Sequence, residues 1–284
     1  MEYVTLTNGV RMPMIGYGVY QIPVQETRRL VAEALEAGCR LLDTAQSYRN
    51  EAGMGEAVAD SGIPRSELFL TTKVWPGFYG EQATRDSVLA SLEKLRTDYL
   101  DLVLLHQPYG DCFGAWRALE RLYREGAVRA IGVSNFYPDR LTDLCGFSEV
   151  PPMVNQVETH PLFQQTGAHE TMRRLGVVHE SWAPFGEGRG GLFDNEVIRS
   201  IGQRCGRTPA QVMLRWQLQR GIVAIPKSSS PERMRENLDV FGFELTASDM
   251  EAIGRLDTGR SVFFDHRDPK TVEWFVNEIK TRAL

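Results

Sequence analysis

The chain has 284 residues, 42% of them hydrophobic, enough for a substantial core. Its net charge of −5 argues against a broad nucleic-acid or anionic-membrane surface, while leaving room for a local basic site for a small anion. No apolar run approaches the length of a membrane helix, Met1-Glu2-Tyr3-Val4-Thr5 lacks the basic-then-apolar pattern of a signal region, and the four scattered cysteines (Cys39, Cys112, Cys145, Cys205) form no CxxC pair, so the expectation is a cytoplasmic protein with reduced thiols.

Tyr3–Thr7 and Val10–Met12 flank Asn8-Gly9, a strong hairpin signal. Beyond it the pattern changes to alternation. Strand Ile15–Tyr20 leads to helix Pro23–Ala37, where Leu30, Val31, Ala34 and Leu35 share a face and Gly38 ends it. Strand Arg40–Ala45, helix Glu51–Asp60, strand Leu68–Val74, helix Glu81–Leu95 and strand Leu100–His106 follow. Helix Ala115–Glu125, strand Val128–Ser134, a short helix near Asp139–Leu144 and strand Met153–Glu158 continue the pattern. Helix Thr166–Leu175, strand Val177–Trp182, helices near Asn195–Cys205 and Pro209–Arg220, and a final strand Ile222–Ile225 complete it. Helices Pro231–Phe241 and Ala247–Leu256 lead into a polar and aromatic tail.

About eight βα units in series imply a parallel sheet with right-handed crossovers. Runs such as Leu102-Val103-Leu104-Leu105 suit strands covered by helices on one side and packed on the other. The length fits one (β/α)₈ TIM barrel, and two smaller domains would also fit; the unbroken alternation favours a single barrel domain over residues 1–284, with the hairpin closing its amino end.

Four residues at strand ends carry the chemistry. Asp43, Lys73 and His106 each close a strand, and Tyr48 lies on the loop after Asp43. The carboxyl ends of parallel strands share one face, so an acid, a phenol, an amine and an imidazole are expected to meet there. A nearby ammonium is expected to lower the Tyr48 phenol pKa, Asp43 to hold Lys73, and His106 to orient a carbonyl oxygen. The set suits general acid–base chemistry on a carbonyl or alcohol, with Tyr48 as the acid. Taken singly, each also suits an ordinary role: a cap, a rim residue, a solvated amine, a core histidine. Cys112 reads as a free thiol in a loop, reactive or ordinary.

The four contain no redox group, so hydride requires a cofactor. Gly186-Glu187-Gly188-Arg189-Gly190-Gly191 matches GxGxxG only formally, because no acidic strand end follows, and it reads better as a glycine-rich lid. Ile225-Pro226-Lys227-Ser228-Ser229-Ser230-Pro231-Glu232-Arg233 follows the last strand and opens a helix. It suits either a phosphate or a capped helix start with two solvated cations. The five histidines include no HxH pair, so no metal site is expected.

At this point the chain resembles the aldo-keto reductases over nearly its whole length. The resemblance rests on Leu42-Asp43-Thr44-Ala45-Gln46-Ser47-Tyr48, Thr72-Lys73-Val74-Trp75, Leu104-Leu105-His106, Gly132-Val133-Ser134-Asn135-Phe136, Asn155-Gln156-Val157-Glu158 and Ile225-Pro226-Lys227-Ser228. The tail Phe263-Phe264-Asp265-His266-Arg267-Asp268-Pro269 looks like the bacterial diketogluconate reductase and prostaglandin F synthase branch.

The resemblance implies a TIM barrel that holds NADPH/NADP+ and reduces small-molecule carbonyls, with Asp43, Tyr48, Lys73 and His106 as its catalytic tetrad. It implies that Ser134, Asn135 and Gln156 hold the nicotinamide carboxamide and that Trp182 stacks on the ring, where most members carry Tyr. The loop Phe185–Gly191, with Phe185 and Gly186 as cofactor contacts, would fold over the pyrophosphate, and Ala183 would also contact the cofactor. Lys227, Ser228, Ser229 and Arg233 would grip the adenosine 2′-phosphate, and Glu236 and Asn237 the adenine. Tyr20, Trp75, His106 and Tyr109, with Phe78, Phe263 and Phe264, would line an aromatic substrate pocket. Arg49 stands where relatives commonly carry Gly. The family default is a monomer. Two rival readings remain: a nucleotide-binding sensor or structural subunit with slow or no turnover, and a metal-dependent barrel hydrolase.

Overall fold

The computed structural model describes residues 1–282. The amino terminus is a hairpin of β1 (Tyr3–Thr5) and β2 (Arg11–Pro13), paired antiparallel. Gly9, at φ 85°, occupies its turn. Asn8 donates through Nδ2 to the carbonyl of Arg129 at 2.8 Å, which seats the hairpin against the amino-terminal end of the strands.

The βα series then runs β3 (Tyr17–Gly18), α1 (Val24–Glu36), β4 (Leu41–Asp43), α2 (Glu51–Asp60), β5 (Phe69–Val74), α3 (Glu81–Lys94) and β6 (Leu102–Leu105). It continues through α4 (Cys112–Arg124), β7 (Ile131–Ser134), α5 (Pro138–Phe147), β8 (Val154–Glu158), α6 (Thr166–Leu175) and β9 (Val178–Trp182). It ends with α7 (Glu196–Cys205), α8 (Pro209–Gln219), β10 (Val223–Ala224), α9 (Pro231–Leu238), α10 (Ala247–Gly254) and α11 (Pro269–Thr281).

Strands β3 to β10 form one parallel sheet of eight, each hydrogen-bonded to its sequence neighbour. The sheet closes on itself. Ile15 bridges Ala224 in parallel, Gly16 N–H donates to the Ala224 carbonyl at 2.9 Å, and Gly18 N–H donates to the Pro226 carbonyl at 3.1 Å. The fold is therefore the (β/α)₈ barrel, with the hairpin over its amino end. Between strands and helices lies a continuous core that includes Val31, Leu42, Leu70, Val103, Trp116, Ile131 and Val154, all nearly inaccessible. The strands are shorter than their apolar runs suggest, because the ladder bonds cover only the middle of each run.

Two local expectations change. The tail contains a helix, α11, opened by Asp268, which accepts from Lys270 N–H at 3.0 Å, and by Pro269 in its first turn. Cys112 is buried at the start of α4 rather than in an open loop, and burial pushes its thiol up to about 11, which makes it an inert thiol.

Candidate active site

The carboxyl ends of the barrel strands open into a cavity of about 650 Å³. Asp43, Tyr48 and His106 line it, together with Ser134, Asn135, Gln156, Trp182, Ala183, Phe185 and Lys227. Lys73 reaches the same place from below. Its Nζ donates to Asp43 Oδ1 at 2.5 Å and to the Thr44 carbonyl at 3.0 Å, and lies 3.5 Å from the Tyr48 hydroxyl. Lys73 and Asp43 are 1% and 2% exposed, so the pair is out of water and each charge depends on the other. Burial alone would lower the Lys73 pKa, but Asp43 and Tyr48 outweigh it and hold the ammonium above its ordinary value.

Tyr48 behaves differently from the expectation. Its phenol is pushed up to about 12, because burial outweighs the lowering effect of Lys73, and Asp43 adds a further rise. Most of the Lys73 charge is spent on Asp43, so the ammonium only moderates a shift set by desolvation. Tyr48 thus holds its proton firmly at neutral pH. His106 is held well below the ordinary imidazole range by burial first, then by Lys73, Arg282 and His266, so its ring is neutral. Its Nδ1 lies 3.3 Å from Ser47 Oγ, and its ring meets Tyr48 and Trp75 edge-on, at centroid distances of 5.7 and 5.8 Å.

A second layer locks this arrangement. Gln156 Nε2 donates to Asp43 Oδ2 and to Glu180 Oε2, both at 2.9 Å, leaving its own Oε1 as an acceptor. Glu180, on β9, is fully buried, and burial and the neighbouring Asp43 push its carboxyl up to about 8, against lowering by Gln156 and Lys73. Asn135 sits in the left-handed region at φ 65°. Its Nδ2 donates to the His106 carbonyl and to Ser134 Oγ, both at 3.1 Å, and its Oδ1 accepts the Trp182 indole N–H at 2.9 Å. Ser134 Oγ in turn donates to the Gln156 carbonyl at 2.9 Å.

After Trp182 the chain turns through Ala183, at φ 47°, into the glycine-rich segment Gly186–Asp194. Glu187, Gly188, Gly190 and Gly191 all have positive φ, so the segment is a wound loop with short 3₁₀ turns. It borders the cavity through Glu187, Gly188 and Arg189, while Gly186 is buried beside Leu192, His160 and Val262.

Beyond β10, Lys227 and Ser229 are exposed and Ser228 is buried. Ser230, not singled out from sequence, caps α9 by accepting from Arg233 N–H at 3.3 Å. Arg233 is exposed on that first turn, Glu236 accepts from the Thr208 hydroxyl at 2.6 Å, and Asn237 is buried. Lys227 lines the main cavity; Ser228, Ser229, Arg233, Glu236 and Asn237 lie outside its wall, along the strand-to-helix edge that continues from it.

On the opposite side, Tyr20 packs on Tyr48 with centroids 4.9 Å apart and the rings tilted by 49°, and Trp75 stands beside His106. Tyr109 does not line the cavity. Its hydroxyl donates to the His266 carbonyl at 2.8 Å and it packs on Phe275, so it props the tail from behind. Phe78 is likewise packed against the core rather than on the wall. The wall includes residues that the sequence did not single out for the site: Gln107, Phe193, His266, Trp274, Phe275 and Arg282. Four of them belong to the tail. The Asp268-Pro269 helix start was the available signal.

Arg49 has φ 61°, in the left-handed region that glycine enters without a Cβ penalty. Among the described residues no group of three or more His, Cys, Asp or Glu side chains could hold a metal ion, and no helix is long and apolar enough to cross a membrane.

Residues 12–258 match the Aldo/keto reductase family. The glyoxal reductase of Bacillus subtilis is 44% identical over 263 residues, covering 92% of this chain and 95% of that protein. The aldo-keto reductase of Bombyx mori, solved in complex with NADP, is 29% identical, with a TM-score of 0.88 and coverage of 93% and 95%. Gox0644, solved as a point mutant in complex with NADPH, is 41% identical, with a TM-score of 0.89 and coverage of 94% and 98%. With a family match over most of its length and the barrel closed around a buried Asp–Lys–Tyr chain, this protein belongs to the aldo/keto reductase family.

Proposed function

We propose that the chain reduces aldehydes and ketones to alcohols with NADPH, using Tyr48 as the acid and Asp43, Lys73 and His106 as its supports. The observation that carries the reading is the linked set Gln156–Asp43–Lys73–Tyr48 facing His106 at the mouth of the barrel.

The donor set fits a nicotinamide. Gln156 Oε1 remains free to accept from a carboxamide, Ser134 and Asn135 stand next to it, and Trp182 offers a half-buried indole fixed by Asn135. Lys227, with Ser228, Ser229 and Arg233 around the start of α9, offers cations and hydroxyls for a phosphate. Glu236 and Asn237 on the same helix are the proposed adenine contacts, and Ala183, Phe185 and Gly186 the contacts to the pyrophosphate side. When bound, NADPH supplies the hydride that reduces the carbonyl carbon.

The chain's own residues handle the oxygen. A carbonyl oxygen between Tyr48 Oη and the neutral His106 ring accepts hydrogen bonds from both. As negative charge grows on that oxygen, Tyr48 becomes the better donor and gives up its proton. Lys73 stabilises the phenolate left behind, and Asp43 keeps Lys73 charged and in place. Tyr20 and Trp75 border the substrate, with Tyr109 supporting them through the tail.

We further propose one barrel domain acting as a cytoplasmic monomer; the unbroken βα series supports the single domain and four unpaired cysteines support the compartment. The test is NADPH oxidation with a panel of an aromatic aldehyde, methylglyoxal and an aldose, in the wild type and in Tyr48→Phe. The variant is expected to lose about 10²- to 10⁴-fold in turnover while still binding NADPH. Near-normal turnover would remove Tyr48 from its role.

A further inference from the structure

The tail lies beyond the residues that match the family, which end at 258. It is nonetheless built into the site. Ser261 Oγ and Val262 N–H donate to the Glu158 carboxylate, at 2.5 and 3.1 Å, and Tyr109 holds the His266 carbonyl at 2.8 Å. Helix α11 then runs back across the cavity mouth and delivers Arg282 to its wall.

The Arg282 guanidinium donates to the Ser47 carbonyl at 2.8 Å and stands 5.3 Å from the centre of the Trp75 ring. The His106 ring meets the same indole edge-on, at 5.8 Å. Ser47 also borders both, because its side chain lies 3.3 Å from His106 Nδ1 while its carbonyl holds Arg282. Among the described residues, a backbone carbonyl and an aromatic ring are the partners of this cation, and no carboxylate pairs with it. The acids of the cavity wall are engaged or distant in the fold: Asp43 is bound to Lys73, and Glu187 belongs to the glycine-rich loop on the far rim. A guanidinium with N–H groups left over, beside a cavity that binds carbonyl compounds, is a ready carboxylate receptor.

We propose that Arg282 anchors the substrate's anionic end, so that the site favours aldehydes and ketones bearing a carboxylate about one aromatic ring's length from the carbonyl. The spacing follows from Trp75 and Ser47, each of which borders both Arg282 and His106. The inference rests on the carbonyl-reductase reading and names the substrate class of that same site.

The test compares 4-carboxybenzaldehyde with its neutral carbamoyl analogue, as the ratio of their kcat/KM values with NADPH. In Arg282→Met the carboxylate-to-amide preference is expected to fall about tenfold relative to wild type, chiefly through KM. Arg282→Lys is expected to retain most of the preference, because it keeps the charge. If both aldehydes are reduced and the ratio is the same in wild type and Arg282→Met, the anion anchor is refuted while the reductase reading stands. An equal fall for both aldehydes would make Arg282 a latch for the tail and also refute the anchor. If the wild type reduces neither, the reductase reading fails and takes the anchor with it.

Discussion

Replacing Lys73 by Met separates the two tasks that the buried ammonium performs. The first is electrostatic support for a Tyr48 phenolate. Unit charges 3.5 Å apart, as Nζ and the Tyr48 oxygen are, attract by roughly 5 kcal/mol at an effective dielectric constant of about 20. Asp43, on the far side of the ammonium, cancels part of that, and we take about 3 kcal/mol as the net support. That corresponds to a fall of about two orders of magnitude in the rate of reduction. The second task is to compensate Asp43, which is 2% exposed. Removing one partner of a buried pair costs about 3–5 kcal/mol of stability. Adding Asp43→Asn to Lys73→Met removes the stranded charge, so the double variant should regain much of the stability and none of the rate. Single-turnover NADPH absorbance measures the first effect and urea denaturation the second. A Lys73→Met enzyme that reduces an aldehyde at close to the wild-type rate would refute the electrostatic argument. Rate and stability recovering together in the double variant would refute the separation of tasks.

Other substitutions test the surrounding layers. Glu180, with its carboxyl at about 8, is neutral at neutral pH and gains a charge beside Asp43 as pH rises through that value, which should make Tyr48 a weaker acid and bend kcat/KM downward above about pH 8. Glu180→Gln keeps an acceptor for Gln156 and should abolish that bend in a pH–rate profile. The same raised pKa means that the wild type loses stability as pH rises from the unfolded carboxyl's value, near 4.5, to about 8, and Glu180→Gln should flatten that slope in denaturant titrations. Lys227→Ala with Arg233→Ala should raise the KM for NADPH by about tenfold or more and leave that for NADH nearly unchanged, read by steady-state kinetics with each cofactor. Gly132 lies where a Cβ would meet the Val154 carbonyl oxygen at 2.5 Å and Leu104 Cδ2 at 2.7 Å, so Gly132→Ala should destabilise the barrel by about 1–3 kcal/mol and lower the thermal midpoint by several degrees.

The barrel and the meeting of Asp43, Tyr48, Lys73 and His106 at its mouth were legible in the sequence because both are written in local patterns. The strands are apolar runs, the helices follow them in alternation, and the residues that meet at the mouth stand at the ends of successive runs: Asp43 ends β4, Lys73 is the penultimate residue of β5, and His106 follows β6. Parallel registry brings those ends together without further information. The charge state of the site was less legible. Lys73 beside Tyr48 suggested a lowered phenol pKa, but burial dominates, and burial is a property of the closed barrel rather than of the motif. Glu180 escaped notice for a related reason. An acid inside a short strand reads as the solvent-facing side of an alternating pattern, whereas here that side faces the polar interior near the barrel mouth, where Gln156 receives it.

The substrate wall was the least legible part, and the reason is sequence distance. Tyr109, expected on the wall from the resemblance, does not line the cavity, because the tail residue His266 stands there and Tyr109 holds its carbonyl. The contacts that form the wall join Ser47 to Arg282 and Glu158 to Ser261, and no periodicity encodes such pairings. Helix α11 also buries little beyond Phe275 among its side chains, so it lacks the broad apolar face by which helices are recognised. Its partners are the rings of Tyr109, Phe264 and His266, which form a cap rather than a core. A segment that packs on a rim instead of a core is free to change length and charge without disturbing the barrel. The reaction therefore resides in the repeating frame and can be inferred from local pattern, while the tail's place on the cavity wall emerges only when the chain is folded back on itself.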